Sequence, residues 1–206
     1  MAASSRLFWR RRSDAGFQIR SRIAASTLPG AGDGRFTLEP LSSGQLVRRS
    51  RMLPFTDCLA AGGADGEGEN IVLLLRDQEE LEALIFYLAA AREETPAEIA
   101  RHLSWFVAGT GGIAYINSVS AYFNHNIPAN LLHRLDGPWM DLIASREIAP
   151  GEELFTDYNH NDIAPFFRHW CAEAGLTDAQ TFSRALSRYL YSGGWECNSR
   201  IYRDHH

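Results

Sequence analysis

Residues 123–131 read Phe-Asn-His-Asn-Ile-Pro-Ala-Asn-Leu. Three Asn, one His and one Pro between apolar flanks make neither a good helix nor a good strand. Asn side chains compete for backbone hydrogen bonds, and Pro removes a donor. Buried, such a run needs internal hydrogen bonds or a polar ligand, since Asn and His each carry donor and acceptor capacity. It also reads as a self-satisfied turn. Any fold of this chain has to deal with it.

The rest of the chain supplies an ordinary globular body. With 206 residues it can bury one substantial core, with or without an appendage. At 45% apolar and 22% charged residues the composition excludes a disordered polymer. The longest apolar runs, Ile71 to Leu75 and Leu84 to Ala91, are too short to span a bilayer, so no membrane association is expected. Cys58, Cys171 and Cys197 are too few and too scattered for a disulfide framework or a four-thiolate zinc site. An intracellular location, nucleus or cytoplasm, is therefore the expectation.

All 20 basic residues are Arg, which rules out a phosphate-binding loop that needs Lys. Residues 1–51 carry a net +7 and residues 52–206 a net −12. Eleven acids against two Arg fall between Asp57 and Glu98. That excess reads either as a solvated helix face or as a surface that steers a cationic partner. Residues 1–15 read as a basic flexible arm, with Arg6, Arg10, Arg11 and Arg12 around Leu7, Phe8 and Trp9. An organelle transit peptide has similar composition but is longer, and no apolar stretch of a secretory signal follows. Direct nucleic-acid binding is expected nowhere beyond that arm.

Local pattern divides the remainder. Phe17 to Ile23, Arg35 to Glu39 and Gln45 to Arg48 read as short strands punctuated by turns. The layout returns at Leu142 to Glu147, a Pro150-Gly151 turn, and Glu153 to Thr156. Ile71 to Leu75 reads as a buried strand or a helix lead-in. Asp77 with Glu80, and Thr95-Pro96-Ala97-Glu98, are helix starts. Leu81, Leu84, Ile85 and Leu88 give the first helix its apolar face; Ile99, Leu103, Phe106 and Val107 give the second theirs, with Gly109 to Gly112 stopping it. Residues 52–110 thus read as a mostly helical insertion in a β framework. Residues 161–206 read as a helical extension, with one helix over Asp162 to Ala174 and a second capped by Thr177 and Gln180. The fold class is a β-rich α+β arrangement of several small sheets.

Two further segments carry chemistry. Gly30-Ala31-Gly32-Asp33-Gly34 lets a backbone approach a ligand or turn through positive φ. It is no dinucleotide loop, because Ser26-Thr27-Leu28-Pro29 precedes it and a strand follows it. Gly151-Glu152-Glu153-Leu154-Phe155-Thr156-Asp157-Tyr158 is a turn, a short strand and a polar end.

In order and spacing, the three segments resemble the SET domain family of protein lysine methyltransferases. Gly32-Asp33-Gly34-Arg35-Phe36 matches the family's G-x-G motif. Asn124, His125 and Asn130 match its N-H-S-C-x-P-N motif, with Asn126-Ile127 replacing Ser-Cys and Pro128 one position early. Glu153, Leu154, Asp157 and Tyr158 match E-L-x-x-D-Y, and Tyr115-Ile116-Asn117-Ser118 resembles the family's tyrosine-containing strand end. The resemblance covers about residues 17–160, within a SET domain expected over 16–160, with 52–110 in the place of the variable insert. It implies a SET-type fold in which residues 124–130 and 157–158 pack as a pseudo-knot. It implies S-adenosyl-L-methionine as cofactor, held by Ala31, Gly32, Asp33, Asn124, His125, Tyr158 and the C-terminal Trp195. Tyr158 and Tyr115 would be the catalytic side chains. The partner would be a basic, Lys-containing protein or peptide, such as a histone-like or ribosomal-type tail, and the role chromatin regulation. A catalytically weak SET-like protein-binding module is the alternative. No metal is expected, since His125, His133, His160 and His169 lack a ligand spacing.

Overall fold

The computed structural model describes residues 14–60, 70–117, 121–160, 162–178 and 180–181. A β-hairpin comes first, β1 (Ser21–Ala25) against β2 (Asp33–Thr37). Its connecting loop is the Gly-rich segment. Four strands of a six-stranded sheet and three helices follow along the chain: β3 (Leu46–Pro54), α1 (Phe55–Ala60), β4 (Ile71–Leu75), then α2 (Gln78–Arg92) and α3 (Pro96–Phe106), β5 (Val107–Thr110) and β6 (Ile113–Asn117). After the two-residue β7 (Asn124–His125) come β8 (Leu131–Asp136) and β9 (Trp139–Ala144), the two-residue β10 (Phe155–Thr156) and α4 (Pro165–Glu173). The large sheet runs β5-β6-β4-β3-β9-β8; β1-β2 and β10-β7 are separate two-stranded sheets.

The insert is less helical than its pattern suggests. β3 runs on to Pro54, and β4 lies inside the sheet, parallel to β3 and antiparallel to β6. Ile71 to Leu75 is therefore a strand rather than a helix lead-in. Val107 belongs to β5 and not to the face of α3. Gly111 (φ 56°) and Gly112 (φ 85°) form the two-residue turn of the β5-β6 hairpin, a geometry that requires positive φ at both positions. The helix starts are as the pattern predicts. Asp77 accepts the Glu80 N–H at 3.0 Å. Thr95 and Glu98 exchange both capping-box bonds. The start near Thr177 is different: Asp178 accepts from the Thr181 N–H and hydroxyl. Residues 182–206, where the second C-terminal helix is expected, lie outside the described residues, as do 1–13. Asp14, grouped with the arm by composition, is bonded to Arg35 of the body, and near it the Gly16 carbonyl accepts the Arg49 N–H.

Alternation along β4 and β6 sorts the core. Ile71, Leu73, Leu75, Ala114 and Ile116 face Leu81, Leu84 and Leu88 of α2, Ile99 and Leu103 of α3, and Phe167 of α4. Val72 and Tyr115 turn to the other face and meet Met140. A separate cluster of Leu41, Val47, Leu131, Leu142, Ile148 and Leu154 lies beside the motif segments. It is closed by the two similar turns recognised in the sequence: Leu41 and Ile148 exchange both backbone bonds, at 2.9 and 3.0 Å. Each fully buried Leu contributes about 1.5–3 kcal/mol, so the cores fix the sheet and leave the polar segments to be placed on it.

Candidate active site

The amide-rich stretch is not a self-satisfied turn. β7 pairs in parallel with β10, Asn124 beside Phe155 and His125 beside Thr156. The Asn126 N–H adds a bond to the Thr156 carbonyl at 3.2 Å. Asn130, only 1% exposed, donates its amide to the Glu153 carbonyl and accepts the Phe155 N–H, both at 2.7 Å. One side chain thus satisfies two backbone groups of the last motif from the central one.

Glu153 ties in the first motif. Its Oε1 accepts from the Ser26 hydroxyl (2.7 Å) and the Asn124 amide (3.0 Å). Its Oε2 accepts from the Thr27 N–H (2.7 Å) and the Thr27 hydroxyl (2.6 Å). Burial pushes this carboxyl up. The bonds from Thr27, Asn124 and Ser26 outweigh it, and the group is held below the usual carboxylate range. Gly34 makes the approach possible.

Asn124 also donates to the Asp33 carbonyl at 3.1 Å. Both its contacts are acceptors, so the amide nitrogen must face them. Among the described residues its Oδ1 meets no donor, and that oxygen is left for one. Gly32 (φ 70°) stands next to this point. A Cβ there would meet nothing within 4 Å, so the residue is glycine for its backbone angle and for exposure of its peptide. The neighbouring groups hold the loop closed: Ala31 N–H on the Leu28 carbonyl, Gly32 carbonyl on the Ser26 N–H.

His125 and Tyr158 meet directly. The Tyr158 N–H donates to His125 Nδ1 at 3.1 Å, and the rings lie 5.3 Å apart. An accepting Nδ1 places the proton of the neutral imidazole on Nε2. Burial lowers the His125 pKa against the pull of Asp157, 3.6 Å away, and a Thr156 backbone bond. The Tyr158 hydroxyl donates to the Phe123 carbonyl at 2.7 Å. Its proton is committed to that carbonyl.

Ala31, Gly32, Asp33, Asn124, His125 and Tyr158 are thus joined through Glu153 and the β7·β10 pair. Tyr115 lies in β6, packed with Val72 and Met140, with its phenol raised by burial. Trp195 lies outside the described residues. Glu153 had no role assigned from sequence. Its signal was present, an acid amid the apolar Leu154-Phe155 pair, but the donors come from residues 26, 27 and 124. Arg35 was read only as a strand residue; it is fully buried.

A family model of the SET domain matches residues 32–159. The chain belongs to the SET domain family. Solved structures similar to this SET domain include a humanized mutant of the Chaetomium thermophilum Polycomb Repressive Complex 2 bound to the inhibitor GSK343. There identity is 19%, the TM-score 0.45, and the match covers 75% of this chain and 16% of that chain. A second is the same fungus's complex in an autoinhibited conformation bound to S-adenosylmethionine, at 18% identity and TM-score 0.44, covering 75% of this chain and 17% of that one. The SET domain chain spans about a sixth of the length of those chains. No curated protein matches it. Among the described residues no cluster of His, Cys, Asp or Glu could hold a metal ion, and no helix is long and apolar enough to cross a membrane.

Proposed function

We propose that this SET domain is a protein lysine N-methyltransferase that uses S-adenosyl-L-methionine and acts on a basic protein segment. The observation that carries the reading is the Tyr158 phenol, fixed by its own proton against Phe123 and braced by His125, beside an Asn124 whose amide oxygen is open. The residues fit the cofactor. An Asn oxygen suits an ammonium donor, and the bare Gly32 peptide permits close approach of a ligand. When bound, the cofactor supplies an electrophilic methyl on a sulfonium.

The protein's part is orientation. With its hydrogen directed to Phe123, the Tyr158 oxygen presents lone pairs that accept C–H···O contacts, individually worth about 0.5–1 kcal/mol. Alignment contributes more, up to about 7–11 kcal/mol where reacting atoms are well placed. Tyr115 would act as an aromatic wall. The neutral His125 adds no positive charge next to an amine that must reach the site deprotonated.

The acidic insert supports a cationic substrate. Of its charges, Glu80 is paired with Arg76, and Asp77 and Glu98 cap helices. Steering by such a field favours a Lys- and Arg-rich segment. A histone-like tail, and with it a nuclear, chromatin-directed role, is the reading we favour.

The test is transfer of labelled methyl from the cofactor to a panel of basic proteins by wild type and by Tyr158→Phe. Label on lysine with wild type, and at least about a tenfold loss in the variant at unchanged cofactor affinity, is the expected result. Cofactor binding without any transfer to lysine would leave the binding-module reading in its place.

A further inference from the structure

Residues 121–123 form a short strap that hands one carbonyl to Tyr158, and the strap has its own support. Tyr122 at its centre has φ 57°, a left-handed backbone that a bulky side chain seldom adopts. Such a residue persists where its surroundings over-determine it. Here both flanking carbonyls are held. The Ala121 carbonyl accepts from Arg35 Nε at 3.0 Å, and the Phe123 carbonyl accepts the Tyr158 hydroxyl at 2.7 Å. Arg35 is 0% exposed. Its Nη1 donates to Asp14 and to the Ser21 hydroxyl, both at 2.7 Å, and its guanidinium lies 4.0 Å from the centre of the Phe17 ring. Phe17 in turn packs on Phe123, centroids 5.7 Å apart.

A buried guanidinium is costly, and among the described residues Nη2 of Arg35 has no hydrogen-bond partner. An apolar side chain would fill a strand interior at less expense. What the guanidinium adds is direction: a fixed N–H fork on one carbonyl of the strap and a flat face on the ring that supports the other.

We infer that Arg35, with Phe17, is a positioning residue for Tyr158: the pair holds residues 121–123 in the strained conformation that aims the Phe123 carbonyl at the catalytic hydroxyl. This rests on the reading of Tyr158 given above, but its direct readout does not. Arg35 bonds the Ala121 carbonyl and Tyr158 the Phe123 carbonyl, so the effect passes through the strap. It also makes Asp14, at the head of the body, part of the brace, so the segment joining the basic arm is coupled to the site.

The experiment uses the full chain labelled with ¹³Cζ-tyrosine. Seven tyrosines give few enough signals to assign Tyr158 by its loss in Tyr158→Phe. In Arg35→Met and in Phe17→Leu the Tyr158 resonance is expected to move toward that of a solvent-bonded phenol. Cofactor affinity by calorimetry should stay within about threefold while kcat for methyl transfer falls about tenfold or more. An unmoved Tyr158 resonance in the folded variants overturns the inference whatever the activity does; if Arg35→Met does not fold, Phe17→Leu decides alone. Absence of methyl transfer by wild type would instead remove the functional reading and leave the resonance test standing.

Discussion

Gly34 is glycine because Glu153 occupies the place of its side chain. A Cβ at position 34 would lie 2.0 Å from Glu153 Oε1 and 2.7 Å from its carboxyl carbon. Its φ is not in the left-handed region, so contact alone excludes a side chain. Gly34→Ala should push the carboxylate off Ser26, Thr27 and Asn124 and leave buried donors unpaired, at about 1–3 kcal/mol for each group stranded. A fall in urea midpoint of that size, with loss of cofactor binding, is the expected outcome; a wild-type midpoint would show that Glu153 can swing away freely.

Asn124 faces two acceptors, Glu153 and the Asp33 carbonyl. Asn124→Asp sets a carboxylate against both, and its folded pKa must rise above the unfolded value. The unfolded state then loses its proton first, so the penalty is largest at neutral pH and shrinks as pH falls below about 5. Denaturation curves of variant and wild type should converge toward acid; parallel curves would mean that the side chain has turned out to solvent.

His125 titrates below the usual imidazole value of 6.5, chiefly because it is buried. As pH falls, the unfolded chain takes up its proton before the folded one does. The contribution of His125 is whole above about 6.5 and is lost as pH drops through the lower folded value. His125→Asn offers an oxygen to the Tyr158 N–H without titrating. Its stability should vary less than wild type's between about pH 7 and 5, which chemical denaturation at each pH would measure.

Thr95→Ala removes the hydroxyl that accepts the Glu98 N–H and donates to the Glu98 carboxylate at the start of α3, and leaves the Thr95 N–H on that carboxylate. The cost should be about 1 kcal/mol, seen as a small drop in melting temperature with cofactor binding intact. A change in binding would tie the start of α3 to the site.

What could be read ahead of the structure was local. Ile71 to Leu75 read equally as a strand or a helix lead-in, whereas caps at Asp77 and Thr95, a strand begun near Arg35, and the three motif segments follow from short-range pattern. Pairing did not. Nothing in Ile71 to Leu75 says that it lies parallel to β3 between β3 and β6. Val107 kept helical spacing although the chain had already turned into β5. Thr177 lost the cap to Asp178, whose carboxylate reaches Thr181. Arg35 read only as a strand residue, because its burial depends on distant groups, Ala121, Asp14 and Phe17, coming to meet it. Glu153 was hidden for the same reason.

The β7·β10 ribbon has a thermodynamic implication of its own. It is two residue pairs long and spans about thirty residues of chain, while β8 and β9 between them are a tight hairpin of six pairs. Loop closure must precede any reward from so short a parallel contact. The hairpin therefore zips early and the ribbon closes over it late, and in the native state it is also the first to come apart. Amide protons of Asn126 and Phe155 should then exchange with solvent faster than those in β9, so that the chemistry of this protein sits on its least cooperative unit.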